Sequence, residues 1–229
     1  MTEIKATLLD SMGSDITVVN AARVSFGKES DWVEGPVLED AQGEYLSWDL
    51  AEKDKKLIKY LADHEHTSPF GHCFASFHVK APIFVARQLV KHKFLRWNEI
   101  SRRYVDDEPE LYYPDVWRGK SKDKKQGSEG TVTMYPEDHL QVGRAEREAL
   151  ASYKSLLSAG VAPEMARMVL PQSMFTEWWW SGSLDAFADM CNLRLKQDSQ
   201  YESRLVAQQI SEEMERLFPV AWKSLVKGM

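Results

Sequence analysis

Residues 86–104 read ARQLVKHKFLRWNEISRRY and form a strongly basic stretch near the middle of the chain. Its basic side chains are Arg87, Lys91, Lys93, Arg96, Arg102 and Arg103. Only Glu99 opposes them, although the chain of 229 residues is acidic as a whole, with a formal net charge of −6. Such a concentration of arginine and lysine is typical of a site that binds an anion, usually phosphate, because the anion offsets the repulsion between the positive charges. The stretch is therefore predicted to bind an anionic ligand.

The first half of this stretch is predicted to belong to a helix that begins at Pro82. Proline suits the first turn of a helix, and apolar residues recur on one side of the segment. On such a helix Arg87 lies beside Lys91, and Gln88 lies beside Lys91 and His92. The second half has no clear period and is predicted to form a loop. A helix that ends in a loop of this kind can surround a small anion with side chains from both.

Outward from this stretch, the hydrophobic pattern predicts a mixture of strands and helices. Strands are predicted at residues 2–9, 16–25 and 73–80, helices at 49–63, 136–159, 163–170, 183–194 and 199–227, and loops at 27–48, 96–104 and 105–135. Ser199 and Glu202 are predicted to cap the last helix. Residues 178–180 are three consecutive tryptophans, which cannot all face one side of a helix. They are predicted to pack in the core or at an oligomer interface.

Composition narrows the class of protein. Eight tryptophans are typical of a packed globular protein and not of a disordered tail. The sequence has no long uncharged apolar run and no basic leader, so a cytoplasmic protein without a membrane partner is expected. The acidic balance argues against a stable nucleic-acid partner. No repeat or linker divides the chain, so one domain over residues 1–229 is predicted, with a mobile charged loop at about 118–130.

Cysteine and histidine are too sparse for a metal centre or a disulfide framework. Cys73 and Cys191 are the only cysteines, and both are predicted to lie in the core. His64, His66 and His72 lie close together, but no acidic or thiol partner completes a ligand spacing, so no metal is predicted. The sequence also has no Gly-x-Gly-x-x-Gly, so any dinucleotide site must use an architecture other than the Rossmann fold.

The basic stretch resembles the signature of flavin-dependent thymidylate synthases. That signature has Arg-His-Arg, seven residues, then Ser, and it ends in Asn-Glu-x-Ser-x-Arg-Tyr. Residues 98–104 match its second half at every specified position. Lys91 and Lys93 replace the two arginines of the first half, and Arg96 replaces a further serine. Lysine keeps the positive charge but lacks the bidentate fork of arginine.

Three further motifs of the family occur in the expected order, so the resemblance covers roughly residues 50–225. His66 and Ser68 occupy a His-x-Ser/Thr-Pro-Phe-x-His segment. Arg167 lies in Ala-Arg-x-Val-Leu-Pro, and Arg194 ends Asn-Leu-Arg. The family also has an asparagine, an arginine and a second asparagine near its last motif. This chain has Ser183, Asp185 and Asp189 there.

The resemblance implies roles for particular residues. Implied dUMP ligands are Gln88, Lys91, Glu99, Ser101, Arg102, Arg103, Arg167 and Arg194. Implied FAD ligands are His66, Ser68, Lys91, His92, Lys93, Glu99, Ser183, Asp185 and Asp189. Arg194 is the implied catalytic residue at the uracil edge. A guanidinium stays charged and can favour the N3-deprotonated ring, whose C5 is then more nucleophilic.

The resemblance also implies a fold and a reaction. The fold is α/β (α+β), with a central, mainly antiparallel sheet flanked by helices, in a homotetramer with flavin sites between subunits. The reaction is the reductive methylation of dUMP to dTMP. Methylenetetrahydrofolate gives the carbon, and FAD reduced by NADPH gives the hydride.

Two alternatives stay open at this point. On the same scaffold, water could trap the methylene intermediate and yield 5-hydroxymethyl-dUMP, which the lysine and aspartate departures around the flavin motivate. A non-catalytic nucleotide- or RNA-binding protein would instead use the basic stretch and the tryptophans, and its binding would depend strongly on salt. The product of dUMP conversion separates these possibilities.

Overall fold

A computed structural model describes residues 3–40, 43–122 and 127–227. The strands are β1 (Lys5–Met12), β2 (Val33–Asp40), β3 (Gly43–Asp49), β4 (Phe74–Pro82), β5 (Arg96–Glu99), β6 (Arg118–Lys120), β7 (Ser128–Thr131) and β8 (Phe175–Ser183). The α-helices are α1 (Asp15–Arg23), α2 (Glu52–Asp63), α3 (Ile83–Leu89), α4 (Pro136–Ser158), α5 (Pro163–Ala166), α6 (Leu184–Arg194), α7 (Tyr201–Leu217) and α8 (Pro219–Leu225). Short 3₁₀ helices span Val24–Phe26, Ser68–His72 and Arg167–Val169.

A four-stranded antiparallel sheet forms the centre of the fold, with the strand order β1-β4-β8-β5. Strands β4 and β8 pair from Phe74 opposite Ser183 to Pro82 opposite Phe175. Alternate residues of β4 are buried, as the period of two in this segment predicts. Helices α6 and α7 pack against the sheet and against each other. The expected mainly antiparallel sheet flanked by helices is confirmed.

The three consecutive tryptophans lie on β8, so their side chains alternate between the two faces of the sheet. Trp178 and Trp180 are buried, whereas Trp179 is 58% exposed on the opposite face. Trp97 of β5 stacks on Trp178 with ring centroids 4.3 Å apart, and Phe187 of α6 meets Trp180 edge to face. Trp178 and Trp180 therefore pack β5 and α6 against β8, whereas the ring of Trp179 lies on the exposed face of the sheet.

Two polar side chains form hydrogen bonds between the N-terminal and C-terminal parts of the chain. Gln209 of α7 accepts a hydrogen bond from the Ala6 amide at 2.7 Å and donates to the Ile4 carbonyl at 3.1 Å, so it covers the outer edge of β1. Asp15 accepts hydrogen bonds from the backbone amides of Val220 and Ala221 at the start of α8. Through these contacts, side chains provide hydrogen-bond partners for backbone groups at the edge of β1 and at the start of α8.

The prediction of a strand over residues 16–25 is wrong, because this segment contains helix α1. The Ser14 amide donates to Thr17 Oγ1 at 3.1 Å, which is half of a capping box at the helix start. Val18 and Val19, which favour strands by propensity, are fully buried in the core. Capping and burial therefore outweigh the weak strand preference of β-branched residues.

The predicted loop over residues 27–48 is also wrong, because most of it forms the antiparallel hairpin of β2 and β3. Gly35 and Pro36 lie where the register shifts between Glu34 and Val37. A glycine and a proline at such a bulge are compatible with a strand, although the same residues in a sequence suggest a loop. Part of the predicted loop after the basic helix is likewise a strand, since β5 pairs with β8.

The predicted continuous last helix is divided into α7 and α8 at Phe218, directly before Pro219. Proline has no amide to donate and its ring clashes with the preceding turn, so a helix ends before it. The predicted capping box is wrong as well. The N-terminal cap of α7 is Gln200, and Glu202 is held instead by other side chains that are described below.

Helices α2, α4 and α6 confirm three predicted helices to within a few residues. Within the charged segment, β6 and β7 pair as a short antiparallel hairpin. Residues 123–126 lie outside the described residues, so the mobility of the segment at about 118–130 stays a prediction. Over the described part of the chain, no helix has the length and apolar character needed to cross a membrane.

Candidate active site

The first group of predicted residues surrounds Arg194 at the end of α6. Arg194 Nε donates to His92 Nε2 at 3.1 Å, and its Nη2 donates to the backbone carbonyl of Gln88 at 3.2 Å. Helix α3 ends at Leu89, so Gln88 and His92 stand at its terminus, where they can meet another helix. Burial lowers the pKa of Arg194, but a guanidinium remains protonated at neutral pH. The fold thus fixes one cation at the end of the basic helix.

His92 is neutral under ordinary conditions. Burial, with the positive charge of Arg194 adding to it, lowers the pKa of His92 to about 4. The ring also lies edge-on to Trp180, with centroids 6.3 Å apart. A neutral imidazole can present Nε2 as an acceptor, which is the role that the contact with Arg194 requires.

The pKa of His92 predicts how stability changes with pH. Because its folded-state pKa of about 4 lies below the ordinary value of 6.5, the unfolded chain binds a proton first as the pH falls. We expect the free energy of unfolding to fall as the pH decreases from 6.5 to about 4. It should fall less in His92→Gln, which keeps an acceptor for Arg194 but cannot titrate. Urea midpoints from circular dichroism at about pH 7 and about pH 4.5 measure this difference.

His72→Gln is the matched control for this prediction, since His72 is exposed. The control should lose as much stability on acidification as the unmodified protein. Equal losses in the unmodified protein and in His92→Gln would contradict the expectation.

The side chain of Gln88 is engaged by the start of α7. Ser203 Oγ donates to Gln88 Oε1 at 3.2 Å, and Gln88 Nε2 donates to Gln200 Oε1. Gln88 is half-buried between these partners. Its carboxamide orientation is therefore determined by residues that no sequence motif pointed to.

A second group of predicted residues lines a cleft of about 450 Å³. Glu99, Arg102 and Arg167 line it together with Arg87, which belongs to the basic stretch but was absent from the predicted ligands. Thr176 Oγ1 donates to Glu99 Oε1 at 2.7 Å, so this carboxylate has a fixed position on β5. Three guanidinium groups and the carboxylates of Glu99 and Glu164 thus line one cleft, and the guanidinium groups suit a ligand with an anionic end.

Two cations of this cleft make hydrogen bonds within the chain. Arg102 Nη1 lies 3.1 Å from Asp107 Oδ1, and Arg167 Nε donates to the backbone carbonyl of Glu164 at 3.2 Å. Arg167 is exposed. Its remaining N–H groups can reach a ligand, since a guanidinium carries five donors.

Four other predicted residues lie near this cleft in sequence but do not line it. Arg103 Nε donates to Ser101 Oγ at 3.2 Å, and its guanidinium lies over the ring of Tyr104, 5.0 Å from the centroid. Lys91 and Lys93 follow helix α3, and both are exposed. The structure therefore brings Glu99, Arg102 and Arg167 together but leaves these neighbours outside the same cleft.

A third group lies in a cleft of about 950 Å³ beside α1 and α2. His66 and Ser68, both predicted from the resemblance, line it with Phe26 and Tyr60. Three cations that sequence reasoning missed also line it: Arg23, Lys53 and Lys56. Arg23 is paired with Asp54, a carboxylate with no exposed surface, so the fold holds this guanidinium in place. Only the packing of α1 on α2 could reveal that pairing.

The remaining predicted residues lie at the start of α6. Ser183 is the N-terminal cap of that helix, and Asp185 follows in its first turn, where a carboxylate suits the helix dipole. Asp185 Oδ1 is buried without a hydrogen-bond partner among the described residues. Burial and the nearby charge of Asp185 raise the pKa of Asp189.

This arrangement belongs to a known family. The profile described as thymidylate synthase complementing protein, Thy1, matches residues 7–220. A flavin-dependent thymidylate synthase of Thermus thermophilus is 41% identical over 215 residues, which are 94% of this chain and 73% of the relative. The chain belongs to the flavin-dependent thymidylate synthase family. The resemblance of the basic stretch is confirmed, and with it the prediction that the protein is an enzyme of this family.

A second relative from the family and a solved structure are also similar to this chain. The enzyme of Kosmotoga olearia is 36% identical over 225 residues, with 96% of this chain and 88% of the relative covered. A solved structure of the UMP/dUMP methylase PolB from Streptomyces cacaoi, bound with 5-Br dUMP, is 31% identical and has a TM-score of 0.78. That likeness covers 99% of this chain and 98% of PolB. It supports the central antiparallel sheet described above.

The cysteines of this family member are part of its core. Cys73 and Cys191 are both fully buried. Burial raises the pKa of Cys73 to about 12, and it raises the pKa of Cys191 further above its ordinary value. The prediction that both cysteines lie in the core is confirmed, and a thiol with so high a pKa supplies no thiolate nucleophile at neutral pH. Across the described residues, no group of three or more histidine, cysteine, aspartate or glutamate side chains could hold a metal.

Proposed function

We propose that this enzyme converts dUMP to dTMP by reductive methylation, with methylenetetrahydrofolate as carbon donor and FAD reduced by NADPH as hydride source. The observation that carries this proposal is the half-buried guanidinium of Arg194, fixed by His92 and by the Gln88 carbonyl. Family membership and the likeness to a UMP/dUMP methylase support it. The cytoplasm, which supplies the nucleotide and the reductant, is the proposed setting.

In this proposal Arg194 faces the uracil edge. Two contacts use Nε and Nη2, and the other N–H groups of the guanidinium are then free to donate to the pyrimidine. A fixed positive charge at that edge stabilises negative charge on the ring, which makes C5 the nucleophile without a covalent enzyme adduct. The buried thiols support this route, because neither cysteine can attack the ring.

The cleft of Arg102 and Arg167 is the proposed site of the phosphate and sugar. Its volume of about 450 Å³ suits a mononucleotide. Guanidinium groups bind phosphate through paired hydrogen bonds, and Arg87 adds a third cation. The Glu99 carboxylate can accept a hydrogen bond from a sugar hydroxyl. The further proposed dUMP ligands are Gln88, Lys91, Ser101 and Arg103.

The residues beside α1, α2 and α6 fit a flavin by their chemistry. The cations of the His66 and Ser68 cleft suit a pyrophosphate, and the buried Asp185 Oδ1 without a partner can accept a hydrogen bond from an N–H or hydroxyl group. The further proposed FAD ligands are Lys91, His92, Lys93, Glu99, Ser183 and Asp189. When bound, FAD supplies the hydride that completes the methyl group.

We also propose a homotetramer with each site between subunits. Arg194 does not line the cleft that holds Arg167, so a single chain leaves the proposed catalytic and phosphate-binding arginines in different places. A second subunit that brings its own arginine to the nucleotide would complete the site. Trp179, exposed on the open face of the sheet, is a surface that such packing can cover.

One assay tests this function. Purified enzyme should be yellow from bound flavin, and with dUMP, methylenetetrahydrofolate and NADPH it should form dTMP that mass spectrometry identifies. A product heavier than dTMP by one oxygen atom supports the hydroxymethyl alternative instead. Protein that stays colourless with added FAD and oxidises no NADPH would contradict the proposal and favour a binding protein. UMP belongs in the same assay, because the neighbour PolB is a methylase of both nucleotides.

A further inference from the structure

A buried carboxylate lies behind the proposed site, in the first turn of α7. Glu202 is 2% exposed. Arg118 Nη2 lies 2.6 Å from its Oε1, and the Tyr112 hydroxyl donates to the same oxygen at 3.1 Å. Gln200 Nε2 donates to the other oxygen, Oε2, at 3.2 Å. Both oxygens of this buried carboxylate therefore accept hydrogen bonds. The partner of Oε2, Gln200, in turn contacts Gln88 of the proposed site.

Glu202 is ionised at neutral pH. Burial by itself raises its pKa, but the hydrogen bond and charge of Arg118 and the donor of Gln200 more than offset this, so the pKa lies below its ordinary value. The position in the first turn of α7 favours the anion further, because the helix dipole is positive there. An ionised carboxylate can only accept hydrogen bonds.

The Glu202 carboxylate determines how the side-chain amides of Gln200 and Gln88 are oriented. Because Glu202 can only accept, Gln200 must turn its Nε2 toward it, and this places Gln200 Oε1 toward Gln88. Gln88 must then donate with Nε2, so its Oε1 accepts from the Ser203 hydroxyl. Both amides of the chain thus have one orientation, and the charge of Glu202 selects it.

We propose that Glu202 is a positioning residue, which acts through Gln200 to orient the Gln88 carboxamide for substrate binding. This inference rests on the proposed function, in which Gln88 is a ligand of dUMP. The oriented amide still has one N–H and one lone pair to offer a pyrimidine nucleotide, because each of its polar atoms has used one hydrogen bond internally. A flipped amide would exchange the positions of the donor and the acceptor that it offers to the nucleotide.

Gln200→Met tests the relay without touching the ion pair of Glu202 with Arg118. We expect the KM for dUMP to rise about tenfold, with kcat within about threefold of the unmodified enzyme, because a binding group loses its orientation and no reacting group changes. Gln197→Met is the matched control, since this glutamine is exposed and should leave both constants unchanged. Melting temperatures confirm that all variants are compared as folded protein.

A double-mutant cycle separates positioning from general stabilisation. Glu202→Gln should raise the KM for dUMP about tenfold by itself and should add nothing in a Gln88→Ala background. If Glu202→Gln does not fold, because Arg118 has lost its partner, the result for Gln200→Met decides. An unchanged KM in Gln200→Met, or additive effects in the cycle, would overturn the relay alone. Unmodified enzyme that neither binds nor converts dUMP would overturn the proposed function and this inference together.

Discussion

Arg194→Ala is expected to lower the kcat for dUMP by about 10²-fold or more, the cost of removing one preorganised charge at the reacting group. The guanidinium is fixed by His92 Nε2 and by the Gln88 carbonyl, so in the proposed mechanism its charge is in place before the uracil ring becomes electron-rich. Because the proposed mechanism uses this charge in the transition state, the loss should fall on kcat more than on KM. Steady-state rates of dTMP formation measure both constants.

Two further variants, Arg194→Lys and Arg216→Ala, test whether the loss of turnover is specific to the guanidinium of Arg194. Lysine restores the charge without the fork, so it should recover only part of the rate. Arg216 is exposed and pairs with Glu213 on the surface of α7, and its removal should leave turnover unchanged. Near-normal turnover in Arg194→Ala would remove the proposed catalytic role.

Arg167→Ala is expected to raise the KM for dUMP on the order of 10²-fold, since the variant lacks a guanidinium that we propose to pair with the phosphate. Arg167 is exposed beside Arg102 and Arg87 in the cleft, and its contact within the chain is to a backbone carbonyl. In the proposed site the uracil ring lies at Arg194 and not at Arg167, so the effect on kcat should be smaller. Titration of initial rates with dUMP measures the change.

Deoxyuridine gives this second prediction its internal control. The nucleoside has no phosphate, so its KM should be the same in the unmodified enzyme and in Arg167→Ala. Arg144→Ala is the matched protein control, because Arg144 lies on the surface of α4 in a pair with Glu148. If the KM values for dUMP and deoxyuridine rise equally in Arg167→Ala, the residue does not bind phosphate.

Part of the fold could be read from local patterns, and part could not. Strand β4 and helix α2 follow the period of their apolar residues, which reflects the face that each element buries. Helix α1 and the hairpin of β2 and β3 do not, because their residues carry signals that favour a different structure. Val18 and Val19 suggest a strand, but burial and the contact at Ser14 place them in a helix.

The family could be identified from the sequence alone, through four motifs in order, and so could some of the cations of the proposed site, such as Arg102, Arg167 and Arg194, whereas Arg23, Lys53 and Lys56 could not. Motifs are readable because each needs its residue types at short, fixed spacings. Only the tertiary structure decided which of these side chains meet. The contact of Arg194 with Gln88 joins residues 106 positions apart, and that of Arg118 with Glu202 joins residues 84 positions apart. Such contacts depend on the path of the whole chain, and no local period or propensity encodes that path.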